Sequence, residues 1–132
     1  MAGHWDVLID QGADWRPSPP IWKNDDGSAI DLSLYSGHLV MKSDYASTTV
    51  LAELSSAFGN LVLGADGSIK LILTALQTAL FVLDLTQIKY VFDGQKFVKF
   101  GVYDLRLTSP IGEVTKLLSG TVYVAPGVTM GN

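Results

Sequence analysis

Cysteine is absent from this chain, and charge is scarce. Of the 132 residues, 17% are charged and 48% are hydrophobic, whereas soluble domains carry about 25% charged residues. Without cysteine the chain has no disulfide bonds, thiolate metal ligands or cysteine nucleophiles. A disordered chain is rich in charge and poor in apolar residues, so this composition predicts a folded domain. The low charge also suggests that part of the surface is not meant to face water.

Long apolar runs are absent as well. The longest predominantly apolar run without a charged residue covers thirteen residues, 71–83, whereas a membrane-spanning helix needs about 20. The first residues contain neither the basic nor the apolar segment of a signal peptide. The net charge of −4 predicts no nucleic-acid partner, because phosphate binding requires a basic surface. The length suits one domain, so we expect residues 1–132 to form a single unit.

Motifs for catalysis are scarce. The two histidines, His4 and His38, do not belong to any metal-binding spacing. Neither a phosphate-binding glycine motif nor a nucleophile elbow is present. The acidic stretch 24–27 has oxygen ligands for calcium but lacks the spaced ligands and the distal glutamate of an EF-hand loop, so it is interpreted as a turn. We therefore expect no enzyme activity, no cofactor and no metal site.

Turn signals divide the chain into short segments. Asp-Gly occurs at 26–27, 66–67 and 93–94, and each pair suits a type I′ turn between antiparallel strands. A fourth turn is expected at Ser-Pro-Ile-Gly, 109–112. Between the turns, apolar and polar residues alternate with period two, which is typical of half-buried strands. Strands are predicted at 4–11, 20–24, 37–43, 49–54, 60–63, 68–73, 88–92, 96–108 and 113–125.

One short helix is predicted at residues 74–80. Thr74 could cap it, and Leu76, Ala79 and Leu80 fall on one face. Many short strands with one helical turn predict an all-β fold, an antiparallel two-sheet sandwich. A closed barrel is the alternative architecture.

Aromatic and outward-facing apolar residues are the candidates for a binding surface. Trp5, Trp15 and Trp22 crowd the first 22 residues, and aromatic residues are enriched at interface cores. A tryptophan can also fill the core or stack on a sugar, so both alternatives stay open. Strand alternation places other apolar residues on outward faces, although a bulge would reverse that assignment. The candidate interface residues are Trp15, Trp22, Ile72, Leu117 and Tyr123, with Leu8 also predicted to face outward.

Several segments, in order along most of the chain, carry a family resemblance. They are residues 9–15, Trp22, 27–32, 65–69, Leu71, Leu73, Thr74, Ala75, Thr78, Leu80, 101–112, Val114, 117–118, 120–126 and 128–129. Together they resemble a family of small structural proteins of tailed bacteriophages and prophages, and are similar to the N-terminal domain of phage baseplate upper proteins. The resemblance implies an Ig-like sandwich without catalytic residues. Residues 81–100 depart from the family pattern and are expected to form an extra hairpin.

The resemblance implies a non-enzymatic structural protein of the virion, assembled in the cytoplasm of the host bacterium. We expect it to belong to the tail, baseplate or collar, to dock other virion proteins and to form a symmetric homo-oligomer or multi-copy assembly. Neither nucleic acid nor membrane is expected as a partner. A capsid decoration protein and a host-carbohydrate receptor-binding module are the alternatives.

Overall fold

The structure, a computed structural model, describes residues 3–17, 19, 23–92 and 94–127. These residues contain nine strands, one short helix and one 3-10 turn. The strands are β1 (Gly3–His4), β2 (Val7–Asp10), β3 (Ser36–Lys42), β4 (Val50–Ser55), β5 (Leu61–Leu63), β6 (Ile69–Leu71), β7 (Ile88–Phe92), β8 (Gln95–Thr108) and β9 (Val114–Ala125). The helix α1 covers Ala75–Ala79, and the 3-10 turn covers Leu85–Gln87.

Most strands belong to one large sheet, which we call the main sheet. Its order is β1-β9-β8-β3-β4, with β2 also pairing with β9 and β7 with the first part of β8. The short strands β1 and β2 run parallel to β9, whereas the other pairs are antiparallel. Val98 pairs with Val124 of β9 and with Ile88 of β7. Because β9 pairs along one side of β8, β7 must pair along the opposite side, which is the side that β3 also occupies.

A second, smaller sheet completes the sandwich. It contains the antiparallel pair β5-β6, and an isolated bridge between Trp15 and Leu73 continues it beyond β6. The apolar faces of the two sheets form one core. The fold is therefore an all-β sandwich of two mainly antiparallel sheets, as predicted. Among the described residues the main sheet ends at β4 on one side and at β1 and β2 on the other, so the barrel alternative is wrong.

The predicted alternation determines which side chains enter the core. In β9, Leu118, Gly120, Val122 and Val124 are buried while the residues between them are partly exposed. The strand predictions agree with the observed bounds within a few residues, except at 20–24. Residues 20–22 lie outside the described residues, and Lys23 forms only an isolated bridge with Ala29.

Two of the Asp-Gly turns differ from the predicted type. At residues 24–28, the Gly27 N–H donates to the Asn24 carbonyl and the Asn24 N–H donates to the Ser28 carbonyl, both at 2.9 Å. The loop thus has three residues and ends in Gly27, whose φ is 87°. Residues 64–68 and 109–113 form the same loop. Such loops need a left-handed third residue, so the glycine closes a type I turn instead of standing inside a type I′ turn.

Helix α1 begins where the capping signal places it, but it exposes its apolar face. The Thr74 side chain accepts from the Gln77 backbone N–H, and the Gln77 side chain accepts from the Thr74 N–H, which is a capping box. Leu76 and Leu80 are 64% and 72% exposed, whereas Thr78 is fully buried. The Thr78 hydroxyl accepts from the Gly12 N–H at 3.0 Å. The Thr78 hydroxyl also donates to the Ala13 carbonyl at 2.9 Å, and the Ala75 N–H donates to the Asp14 carboxylate at 2.7 Å. These polar contacts attach α1 to the sandwich.

Across the described residues we find no helix with the length and hydrophobicity needed to cross a membrane.

Candidate interaction surface

Trp15 is a core residue. Its side chain is 7% exposed and belongs to the core between the two sheets. Its backbone exchanges hydrogen bonds of 2.8 and 2.9 Å with that of Leu73. This position corrects the prediction that Trp15 contacts a partner or a sugar, because a ring packed inside the sandwich does not reach the surface. Trp22 lies outside the described residues, so its proposed role stays a prediction.

A β-bulge turns Leu117 toward the core. Leu105 pairs with Leu118 and Arg106 pairs with Lys116, so Leu117 is the extra residue of the bulge. The side chain is half-buried and packs against the core, which corrects its predicted outward position. The extra residue interrupts the alternation, because it has no partner of its own on β8. Ile72 is half-buried between the buried Leu71 and Leu73.

Tyr123 lies at the centre of an aromatic group on the outer face of the main sheet. Its ring centroid is 4.9 Å from that of Tyr90 and 5.2 Å from that of Phe92. The Phe92 ring also meets Phe97 edge-on, with centroids 5.4 Å apart. These distances are typical of stabilising aromatic pairs. We call Tyr90, Phe92, Phe97 and Tyr123 the outer aromatic cluster.

The outer aromatic cluster joins the β7–β8 hairpin to β9. Phe97 is only 3% exposed, and its neighbour Phe92 remains 37% exposed. Leu8 of β2 pairs in register with Tyr123 and is exposed as predicted. The cluster and Leu8 therefore form a continuous apolar surface on the side of the sheet away from the core.

Three members of the cluster were not among the predicted interface residues. Tyr90, Phe92 and Phe97 come from the segment 81–100, which was predicted only as a hairpin. Phe92 pairs with Gln95, and Gly94 has a φ of 78°, which agrees with a two-residue connection; Asp93 lies outside the described residues. The aromatic residues at 90, 92 and 97 are a signal that the sequence offers, but their meeting with Tyr123 requires the tertiary fold.

The phenol of Tyr123 stays uncharged at neutral pH. Burial, followed by the negative charge of Asp6 and the neighbouring Tyr90, raises the pKa of Tyr123. A hydrogen bond with Thr121 opposes this increase. Because the folded-state pKa lies above the usual value for tyrosine, the phenol carries no charge under ordinary conditions. The cluster therefore presents an apolar surface with a few hydrogen-bonding groups.

Long-range hydrogen bonds hold β2 beside the cluster. The Tyr103 hydroxyl donates to the Trp5 carbonyl at 2.5 Å, and the Thr121 N–H donates to the Asp6 carboxylate at 2.9 Å. Burial raises the pKa of Tyr103 well above its usual value, so this donor keeps its proton. These two contacts fix the chain where it passes from β1 to β2, and they thereby position Leu8.

The hairpin is also attached to β2. The Gln95 side chain donates to the Asp10 carboxylate at 2.8 Å. Nearby, Gln11 donates to the Phe81 carbonyl at 2.9 Å and accepts from the Gly127 N–H at 3.1 Å. One side chain thus joins the segment before the hairpin to the end of β9. Contacts of this kind preorganise a binding surface, because less conformational freedom is lost on association.

Among the described residues, no group of three or more histidine or acidic side chains is arranged to hold a metal ion. The two histidines are separate, His4 beside Asp6 and His38 beside Glu53. The acidic stretch 24–27 forms the turn described above, and the Asp26 carboxylate accepts from the N–H and the hydroxyl of Ser28.

No protein-family model and no curated protein matches this chain. Among solved structures, the chain is similar to one from the crystal structure of ICOS in complex with ICOS-L and an anti ICOS-L VNAR domain, with 13% sequence identity and a TM-score of 0.45. The match covers 96% of this protein and 56% of that chain, so the protein spans little more than half of that chain's length. The sandwich assignment rests on the strand order and pairing given above.

Proposed function

We propose that this protein is a non-enzymatic structural module of a tailed-bacteriophage particle. It docks other virion proteins in the tail, baseplate or collar and acts in multiple copies. Its chemistry is the burial of apolar surface, not the conversion of a substrate. This proposal extends the sequence resemblance given above.

The outer aromatic cluster with Leu8 is the observation that carries the proposal. Aromatic residues contribute strongly at the centres of protein interfaces. Here they form a contiguous surface on strands of the main sheet, on the face that does not contribute to the core. A charge-poor surface of this kind favours association, because burying it removes apolar area from water at about 25 cal/mol per Å².

The β7 backbone supplies a second means of contact. Among the described residues, β7 pairs only with β8, so its other edge has unpaired backbone donors and acceptors. Such an edge can accept a strand from another chain, with side-chain contacts providing the specificity. The edge lies beside the outer aromatic cluster, so one partner could engage both.

The first test concerns self-association and uses a matched pair of variants. Leu8 and Val62 both lie on strands and are 45% and 46% exposed, but only Leu8 adjoins the cluster. We expect the purified chain to sediment as an oligomer, Leu8→Asp to shift it toward the monomer, and Val62→Asp to leave it unchanged. A wild-type monomer at all concentrations, or equal effects of the two variants, would count against this role.

The second test is the copy number in the particle. Quantitative mass spectrometry of purified particles from a host that carries the gene should find about six to a few dozen copies, as expected for a symmetric tail or baseplate component. Hundreds of copies would instead support capsid decoration and overturn the tail assignment. Complete absence from the particle would overturn the virion role.

A further inference from the structure

A groove crosses the outer face of the main sheet at a different place from the outer aromatic cluster. Its volume is about 520 Å³, and residues of β3, β4 and β8 line it. None of the four cluster residues lines it. Val40 and Val50 provide apolar lining, and the other walls carry many charged groups. This volume is within the range of sites for small molecules, about 300–1,000 Å³.

An aromatic ring stands at one wall of the groove. Tyr45 belongs to the loop between β3 and β4, and the Lys116 ammonium lies 5.8 Å from the centre of its ring. The loop is held locally, because the Ala46 N–H donates to the Asp44 carboxylate at 2.9 Å. A cation–π contact restrains the ring. Tyr45 nevertheless keeps 64% of its surface exposed, which leaves area for a ligand.

Three carboxylates line the groove, those of Asp44, Glu53 and Asp104. His38 and Glu53 are 2.5 Å apart, and Arg106 and Asp104 are 3.4 Å apart, so these groups already have partners. Lys42 and Lys116 also line the groove. In the described part of the chain, neither ammonium group has a carboxylate within 4.0 Å.

We propose that this groove binds a single sugar ring that carries a carboxylate. The Tyr45 ring offers a flat apolar surface for the C–H face of the sugar. Glu53 and Asp104 accept hydrogen bonds from its hydroxyls, because ionised carboxylates have acceptor sites beyond those used in their ion pairs. The Lys42 ammonium donates to the sugar carboxylate, a charge-assisted hydrogen bond of the stronger kind.

The charged lining of the groove favours a sugar over a protein surface as the ligand. A protein seated in the groove would take two ion pairs out of water, and that desolvation is costly. A ligand rich in hydroxyls replaces the hydrogen bonds of the displaced water. The site is thus separate from the docking surface and adds a binding activity to the proposed structural role.

Titration of the ¹⁵N-labelled chain by NMR tests the site with three probes: sodium D-galacturonate, D-galactose and sodium acetate. We expect galacturonate to produce saturable shifts in the amide signals of Lys42, Tyr45 and Asp104, with a dissociation constant on the order of 1 mM. Galactose should bind at least about tenfold more weakly, because it lacks the carboxylate. Acetate should give no saturable shift.

Two variants with matched controls locate the binding groups. Tyr45→Ala should weaken galacturonate binding about tenfold, whereas Phe58→Ala, which removes an aromatic ring of nearly the same exposure, 65%, should not. Lys42→Met should reduce galacturonate binding to the level of galactose, and Lys70→Met, on β6, should leave it unchanged. Absence of saturable shifts, shifts confined to other surfaces, equal binding of galacturonate and galactose, or controls as damaging as the groove variants would overturn the proposal.

Discussion

Because Gly120 has no side chain, the backbone of Trp5 and Asp6 can lie against β9. A Cβ at this position would lie 2.3 Å from the Trp5 carbonyl oxygen and 3.0 Å from the Asp6 carboxylate. A backbone carbonyl cannot move aside as the end of a flexible side chain can. The glycine is therefore required by close approach, not by its own backbone angles.

Gly120→Ala should destabilise the protein by about 1–3 kcal/mol, the usual cost of an overpacked site. The change forces the Trp5 backbone away from β9 and loosens β2. Gly3→Ala is the control, because the atom nearest to its added Cβ is the end of the Leu118 side chain, at 3.1 Å. Urea unfolding followed by circular dichroism measures both. Equal midpoints for Gly120→Ala and the wild type would contradict the packing described.

The Tyr103 hydroxyl holds the same N-terminal segment, because it donates to the Trp5 carbonyl. Tyr103→Phe removes the donor to the Trp5 carbonyl and leaves a partly buried acceptor without it, so we expect a loss of about 1–2 kcal/mol in unfolding free energy. Tyr45→Phe removes an exposed hydroxyl and should change the stability little. If both variants unfold at the same urea concentration as the wild type, the Tyr103 hydrogen bond does not stabilise the fold.

At the scale of elements, β4 and β7, two of the strands with an unpaired edge in the main sheet, differ in how that edge is covered. The Asn60 side chain accepts from the Ser55 N–H at 2.8 Å and donates to the Glu53 carbonyl at 3.4 Å. The Asn60 amide thus makes the hydrogen bonds with the end of β4 that a neighbouring strand would otherwise make. Glu53 places a charge on the same strand. Both features protect an edge from unwanted pairing, and β7 shows no such side-chain contact among the described residues.

Asn60→Ala should therefore leave the backbone groups at the end of β4 without these side-chain hydrogen bonds. We expect a loss of about 1 kcal/mol, because the Ser55 N–H loses its partner, together with faster aggregation on heating than the wild type shows. Light scattering during a thermal ramp measures the second effect. Asn24→Ala removes an amide that bonds Ser28 in an exposed turn, and it should not increase aggregation. Equal scattering from the two variants would show that the Asn60 side chain does not protect the edge of β4 from aggregation.

At the scale of the whole molecule, local carboxylate hydrogen bonds link the stability to pH. Four exposed aspartates accept from the Ser or Thr two residues further along the chain; they are Asp26, Asp31, Asp66 and Asp84. The hydroxyl first, and then the backbone N–H, holds the pKa of each carboxyl below its usual 3.8. A lowered folded-state pKa gives stability that is present above the unfolded-state pKa and is lost as the pH falls through the folded-state pKa.

Urea unfolding at a series of pH values should therefore show the midpoint decreasing below about pH 4. Asp26→Asn should make that decrease shallower, because asparagine keeps an acceptor oxygen for Ser28 but does not titrate. Asp25→Asn is the control in the same turn, since the Asp25 carboxylate accepts none of the hydrogen bonds seen in the described residues. If Asp25→Asn reduces the pH dependence of the urea midpoint as much as Asp26→Asn does, the Asp26 hydrogen bonds are not the cause of that dependence.

Local signals determined much of the architecture. Alternation in β9 identified Leu118, Val122 and Val124 as core residues, because the side chains of a strand point to opposite faces in turn. Thr74 and Gln77 determined where the helix begins, since a capping box needs only neighbouring residues. The glycines of the turns marked the connections, although the three-residue loops at 24–28 and 64–68 depend on where strand pairing ends.

The sequence by itself thus determined the all-β class, the approximate strand bounds, the turn positions and the helix cap, all of which depend on residues close in the chain. Only the tertiary structure decided that Trp15 is buried, that a bulge turns Leu117 toward the core, and that Tyr90, Phe92 and Tyr123 meet on one outer face. These outcomes depend on register and on contacts between distant segments. A change of one residue in register reverses every side chain beyond it, so local periodicity cannot determine which apolar residues remain on the surface.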